Sequence, residues 1–425
     1  MPKFSIRCGL AALALSVVLA GCSGGDSKPA DTTTPDAGKP AAGGGTPAAT
    51  GKRPAPTAAP IKIEGDTIKI GLVASLTGDQ KPWGDDSQAG VQMVVDEINA
   101  AGGVNGKKVE LLVQDSASTP AGAKTAAEKL LSSGVVEILG EVSSGNTIQI
   151  ANSAFEKGVP VVDIGGTKTD LTDIGSNIFR VCYSDAFQGP VMATFAYEEL
   201  GLRNVALMTD NKAPYSQGLS AAFKAQFEKL GGKIADEEKY DTGQTQFGGQ
   251  LNEMKTKNPD GIFMSGYFPE VGPIAQQARQ AGIKAKFMGG DGWDSPTLLN
   301  SGGDAIIGGF LCNHYNNKEN RPEVKAFLAK WTKAHGGKEP GTTMAALGYD
   351  AAAVGLEAIK TAKTPDTKGI IDALDNIENF PGVSGKITLK GGNGTPIKQA
   401  LVVEVRPLSE GFQVFKKAYT PDMIK

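Results

Sequence analysis

The sequence predicts an α/β fold built from two doubly wound parallel-sheet units in tandem, and three observations carry that expectation. From residue 67 onward, short apolar runs alternate with segments whose apolar residues recur at helical spacing. The alternation runs through two series, the second starting after "NIFRVCYSD" at 177–185. Three further helices follow the last strand, too many for the second unit alone, so the chain is expected to cross back to the first.

Each element has its own warrant. "TIKIGLVA" reads as a buried strand, and Val91, Val94, Val95 and Ile98 then mark a helix that Gly102-Gly103 stops. "KKVELLV" is the next strand, followed by a helical face of Ala123, Ala126, Ala127, Leu130 and Leu131 that ends near Gly134. "VVEILG", a helix over "NTIQIANSAFEKG" and "VPVVDIGG" repeat the unit. The second series reads as a helix over 187–200, "NVALMTD", a helix over 216–230, "GKIADEEKY", a helix over 246–256, "GIFMSG", a helix over 270–281 and "KAKFMGG". After the strand-like "GGFLCNHY" come helices over 322–335, 344–362 and 367–378.

The first 65 residues follow different rules. Lys3 and Arg7 precede an apolar run over 9–20 that ends in Leu19-Ala20-Gly21-Cys22, the pattern of a secretory signal, too short to span a bilayer comfortably. Leu-Ala-Gly-Cys resembles the bacterial lipobox, which implies cleavage after residue 21 and acylation of Cys22. Residues 22–65 read as a disordered Ala/Gly/Pro/Thr tether, because 23–60 carry hardly any large apolar side chain with which to offset ordering entropy. Its root-mean-square reach is on the order of 35 Å. The expectation is an exported protein held at a membrane by its lipid alone.

Composition narrows the function classes. The chain has 425 residues, a formal net charge of -3 and 40% hydrophobic residues, enough for two globular domains. No second apolar run of membrane-spanning length occurs, and no basic cluster invites nucleic acid. Gly-x-Gly-x-x-Gly after the first strand, a Walker A loop and His-Glu-x-x-His are all absent, so no cofactor, metal or enzymatic activity is expected. The two histidines, His314 and His335, are expected to be solvated surface residues. Cys8 leaves with the signal, so Cys182 and Cys312 are either a pair or two small buried hydrophobes.

Ligands of open parallel sheets bind beyond the carboxyl ends of the strands. Those positions hold Trp83, Ser143, Ser144, Gly165, Gly166 and Thr167 in the first unit, a ring, three hydroxyls and a glycine pair whose N–H groups suit an anion. The second unit offers Tyr215, Tyr267 and Asp291, one carboxylate and two rings that suit an ammonium group. An anion site facing a cation site points to a zwitterion.

Residues 66–425 resemble the branched-chain amino-acid-binding proteins of ABC importers, the Leu/Ile/Val-type members of the type I periplasmic-binding-protein family. The stretches that carry the resemblance are "IKIGLVASLTGDQKPWG", "AGVQMVVDEINAAGGVNGKKVELLVQDSAS", "GYFPEVGPIAQQARQAGIKAKFMGGDG" and "AALGYDAAA". It implies two lobes joined by a three-crossover hinge, 66–183 plus 313–388 and 184–312 plus 389–425, closing on an amino acid and handing it to an ABC permease as a monomer. By the family pattern, Ser143 and Thr167 with the Gly165 and Gly166 backbone take the ligand carboxylate. Asp291 with Tyr267 takes the ammonium, Tyr215 adds a contact and Trp83 lies against the ligand side chain. Three departures leave the ligand's side-chain class open: Asp291 stands where the best-known members have Glu, Glu141 stands where an apolar residue is usual and could contact a polar ligand, and the segment around Glu339 and Pro340 lacks an aromatic residue. Short amides, urea, aromatic acids and a sensor role remain alternatives. The implied hinge places Cys182 and Cys312 in adjacent crossovers, where a disulfide is expected, with two packed thiols as the alternative.

Overall fold

Ile68, Ile70, Leu72, Val73 and Ala74 are buried along Thr67–Ala74, strand β1, the centre around which the first sheet assembles. The structure, a computed structural model, describes residues 53–424. The signal expected at 1–21, the acylation expected at Cys22 and the part of the expected tether up to residue 52 lie outside the described residues.

Helix α1 (Lys81–Ala100), β2 (Lys108–Asp115), α2 (Pro120–Ser132), β3 (Ile138–Leu139), α3 (Ser144–Lys157), β4 (Val161–Asp163) and β5 (Ile178–Arg180) follow in the expected alternation. Their sheet is parallel throughout, in the order β2-β1-β3-β4-β5. The chain then runs through α4 (Asp185–Thr194), β6 (Asn204–Asp210), α5 (Pro214–Lys229), β7 (Lys233–Tyr240), α6 (Gly248–Lys257), β8 (Gly261–Met264), α7 (Phe268–Gln280), β9 (Lys286–Gly289), α8 (Leu298–Gly302) and β10 (Phe310–Asn313). Helices α9 (Pro322–Ala334), α10 (Met344–Thr361) and α11 (Thr367–Leu374) return to the first unit, where α10 packs on α1. The hairpin β11 (Phe380–Gly382) and β12 (Gly385–Ile387) precedes a last pair, β13 (Ala400–Val405) and β14 (Gln413–Tyr419).

In the second sheet β13 pairs antiparallel with β10 and β14 antiparallel with β13, so the order is β14-β13-β10-β9-β8-β6-β7. The polypeptide thus passes between the sheets three times, and the molecule is two doubly wound lobes joined by a three-stranded hinge.

The contact of α1 with α10 depends on missing side chains. A Cβ on Gly90 would lie 2.1 Å from the Ala345 carbonyl oxygen, and one on Gly348 would lie 2.4 Å from that of Ser87. Two glycines facing across the interface let the backbones approach each other.

Two expectations are corrected here. The tether does not run to residue 65. Arg53 is buried, donates to the carbonyl oxygens of Ile178 at 2.6 Å and Gly175 at 3.2 Å, pairs with Asp375 and lies over the Phe179 ring. Ile61 and Ile63 pack against the first lobe's core, and their backbones bond to Thr367 and Pro365. Side chains able to bury surface reappear at the end of the polar stretch, and the chain docks where they do. The Cys182–Cys312 disulfide is also absent: both are free, buried thiols. Cys182 points at the Gly166 carbonyl oxygen 3.5 Å away, whereas Cys312 packs in the core of the second lobe beside Tyr183.

Candidate functional site

Asp291 opens the single helical turn that follows β9 and is 4% exposed. The Tyr215 hydroxyl, from the first turn of α5, donates to Asp291 Oδ1 at 2.9 Å. His314, just past β10, meets Oδ2 through Nε2 at 2.9 Å. Burial lowers the imidazole pKa from its ordinary value, with the Asp291 bond opposing. The Asp291 backbone N–H donates to Gln188 Oε1 at 2.7 Å. Each oxygen of the carboxylate thus has one side-chain partner, and the backbone beneath it is fixed separately.

An aromatic wall extends from this point. Tyr215 stacks on Tyr267 with centroids 4.9 Å apart, and Tyr267 meets the edge of Trp83 at 5.6 Å. Trp83 comes from the first lobe and is 1% exposed, and its Nε1 donates to the Asp294 carbonyl oxygen of the second lobe at 2.6 Å. The lobes are closed on one another.

Asp185, which the sequence reading missed, stands beside Asp291. It opens α4 and is fully buried; one oxygen accepts from Gln188 at 3.0 Å and the other has no partner of normal geometry. Burial raises its pKa to about 7, and the Asp291 charge adds to the rise. Thr167 lies against it: the Asp185 N–H donates to the Thr167 carbonyl oxygen at 2.7 Å, and the Thr167 hydroxyl, itself without a well-aligned partner, partly offsets the rise. The only cue available was an Asp placed just after a strand-like run, in a segment assigned to the hinge.

On the opposite wall, Ser143 precedes α3 and its hydroxyl donates to the Gln80 side chain. Burial raises the Tyr267 hydroxyl pKa well above its ordinary value, while the Ser143 hydroxyl and the Ser144 amide pull the other way, so the α3 N-terminus faces that phenol. Ser144 Oγ accepts from the Lys168 N–H at 3.2 Å.

Three expectations fail around the cleft. The Gly165 and Gly166 amides do not face the cleft: Gly165 donates to the Glu141 carbonyl oxygen at 3.0 Å and Gly166 to Asp163 Oδ2 at 2.8 Å. Their lack of side chains serves packing, because a Cβ on Gly166 would lie 2.9 Å from the Asp163 carboxylate. The Glu141 carboxylate is buried and turned inward, where it accepts from Ser75, from Ser116 at 2.7 Å and from the Val142 and Ser143 amides. His314 is not solvated; it is fully buried, bonds Asp291 and stacks on Tyr183 at 4.0 Å.

A cavity of about 200 Å³ adjoins the closed cleft, and Tyr315 and Phe412 line it together with Glu339 and Pro340. Two distant segments thus supply aromatic rings beside a stretch that has none of its own.

Two closed lobes, each offering strand ends and helix N-termini to one shared cleft, define a ligand-binding receptor of the type I periplasmic-binding-protein fold. Residues 67–411 match the periplasmic binding protein family, and the chain belongs to that family. It is 31% identical over 310 residues, 73% of this chain and 82% of the relative, to a leucine-, isoleucine-, valine-, threonine- and alanine-binding protein of Pseudomonas aeruginosa. A leucine-binding protein of Thermotoga maritima superposes with a TM-score of 0.79 at 36% identity, covering 84% of this chain and 99% of that one. A branched-chain amino acid transporter substrate-binding protein of Streptococcus pneumoniae, solved with isoleucine, gives 0.76 at 30% identity, covering 83% and 99%. Among the described residues no helix is long and apolar enough to cross a membrane.

Proposed function

We propose that the protein is an extracytoplasmic solute-binding lipoprotein that captures an amino acid with a branched-chain or other small hydrophobic side chain and delivers it to an ABC importer. The observation that carries this reading is the buried pair of carboxylates, Asp291 and Asp185, set beside the stacked Tyr215 and Tyr267 rings. Acidic oxygens and π faces in a closed, water-poor corner suit an ammonium group. The carboxylate end of the ligand takes its place against Ser143, Ser144, Thr167 and the first turn of α3. Trp83 covers the ligand side chain.

Capture needs no catalytic group: hinge closure buries the ligand, and opening against the permease releases it. The chain acts as a monomer, with the acylated Cys22 holding it to the membrane and the residues up to Arg53 giving it reach. A sensor would use the same pocket, and neighbouring permease and ATPase genes distinguish transport from sensing.

The test is a thermal-shift screen of the purified protein against the common amino acids, short amides and aromatic acids. A ligand at 100 times its dissociation constant adds about 2.7 kcal/mol of stability. A shift with aliphatic amino acids that disappears in Asp291→Ala supports the reading. A shift confined to amides or aromatic acids, or one that survives Asp291→Ala, rejects the amino acid as cargo.

A further inference from the structure

Asp294 ends the helical turn that Asp291 begins, and its carboxylate reaches out of the second lobe into the first. Its Oδ2 accepts from the Thr343 N–H at 2.7 Å and faces the Thr343 hydroxyl at 2.6 Å, at the N-terminus of α10. Its backbone carbonyl oxygen accepts from Trp83 Nε1 at 2.6 Å, a second bond between lobes. Both ends of this contact are held in advance. Gln413 of β14 donates to Asp294 Oδ1 at 2.7 Å and sets the carboxylate's orientation within its own lobe. In the other lobe, Asp86 of α1 accepts from the Thr342 N–H at 2.6 Å and fixes the loop that leads into α10. Asp294 is 1% exposed and Thr343 is buried, so the contact between the lobes is shielded from water.

We infer that Asp294 is the latch of lobe closure, a positioning residue that acts on ligand retention by engaging the first turn of α10. This rests on the cleft being the ligand site, as proposed above. The latch shares a three-residue turn with Asp291 and shares Trp83 with the aromatic wall, so a ligand that orders this turn also presents the latch. An acid accepting from the N-cap amide and hydroxyl at a helix start makes a charge-assisted contact, and opening exchanges it for water.

The experiment compares the full chain with its Asp294→Ala, Asp294→Asn and Thr343→Val variants. Two readouts are taken: hydrogen exchange without ligand at the cleft segments 143–147 and 265–270, and the dissociation rate of whichever amino acid stabilises the wild type most. Neither segment includes the substituted residues, and exchange in the core strands β1 and β8 controls for general loosening. Asp294→Ala is expected to speed dissociation roughly tenfold to hundredfold, the range for losing a hydrogen bond to a charged group. Exchange at both cleft segments rises with it while the core strands stay unchanged; Thr343→Val follows the same direction, and Asp294→Asn restores part of the loss. Wild-type exchange at the cleft segments in both Asp294→Ala and Thr343→Val overturns the latch. If the wild type binds no amino acid, the cargo assignment fails and the exchange comparison still decides the latch by itself.

Discussion

Asp185 and Asp291 share one buried corner, and among the described residues neither is bonded by a lysine or arginine. The pKa of Asp185 is pushed up to about 7 by burial and by Asp291, so ligand affinity is expected to depend on pH. An ammonium favours the ionised acid, so affinity is expected to rise from pH 6 to pH 8 in a titration calorimetry series and to stay flat in Asp185→Asn. Glu137 makes the opposite kind of statement, about the fold. It is fully buried, both its oxygens lack partners, and burial raises its pKa to about 8. A raised acid stabilises the native state fully below its unfolded pKa, and that contribution is lost as pH rises toward 8. Each pH unit between the unfolded and folded pKa is worth about 1.4 kcal/mol, so Glu137→Gln should remove a loss of a few kcal/mol between pH 5 and pH 8, read from urea unfolding at each pH. Asp291, Tyr215, Tyr267 and Trp83 were legible in the sequence because they sit just past strands, where parallel sheets place ligands. His314 and Asp185 were not, because they become neighbours of Asp291 only when separate crossovers meet.

At the scale of elements, periodicity identified the alternating strands and helices of both lobes, and their boundaries moved little. Helix 187–200 ends its regular form at Thr194 and continues as a wide π turn over Phe195–Glu199. The third returning helix stops at Leu374 rather than at residue 378. Strands β13 and β14 went unread, since "ALVVEV" had no partner in view and its pairing with β10 spans some ninety residues of chain. The closest helix contact also depends on tertiary structure. Gly90 faces the Ala345 carbonyl oxygen at a distance no methyl group tolerates, so Gly90→Ala should cost about 1–3 kcal/mol through overpacking. Calorimetry should record the melting temperature falling by several degrees, at roughly 2–4 °C per kcal/mol for a domain of this size class.

Across the whole molecule, the hinge is held by packing and hydrogen bonds. Lys398 of the third crossover donates to the Val181 carbonyl oxygen of the first at 3.0 Å and to Ser384 Oγ at 2.5 Å, in a buried setting that lowers its pKa to about 8. Cys182 and Cys312 stand in the same region as separate thiols. A chain starting at Arg53 is therefore expected to show no reactive thiol when native and two when denatured without reductant. Its melting temperature should be the same with and without reductant; a single-step loss of both thiols to a disulfide would contradict this arrangement. By itself the sequence determined the fold class, the two-lobe order and the loops that line the cleft, because those follow from local periodicity and strand-end placement. Only the tertiary structure decided which groups in those loops stay free to meet a ligand. The Gly165 and Gly166 amides and the Glu141 carboxylate are spent inside their own lobe, Asp185 is left short of a partner, and Asp294 finds its partner across the cleft. Hydrogen-bond satisfaction is settled by neighbours far apart in the chain, which no local pattern records.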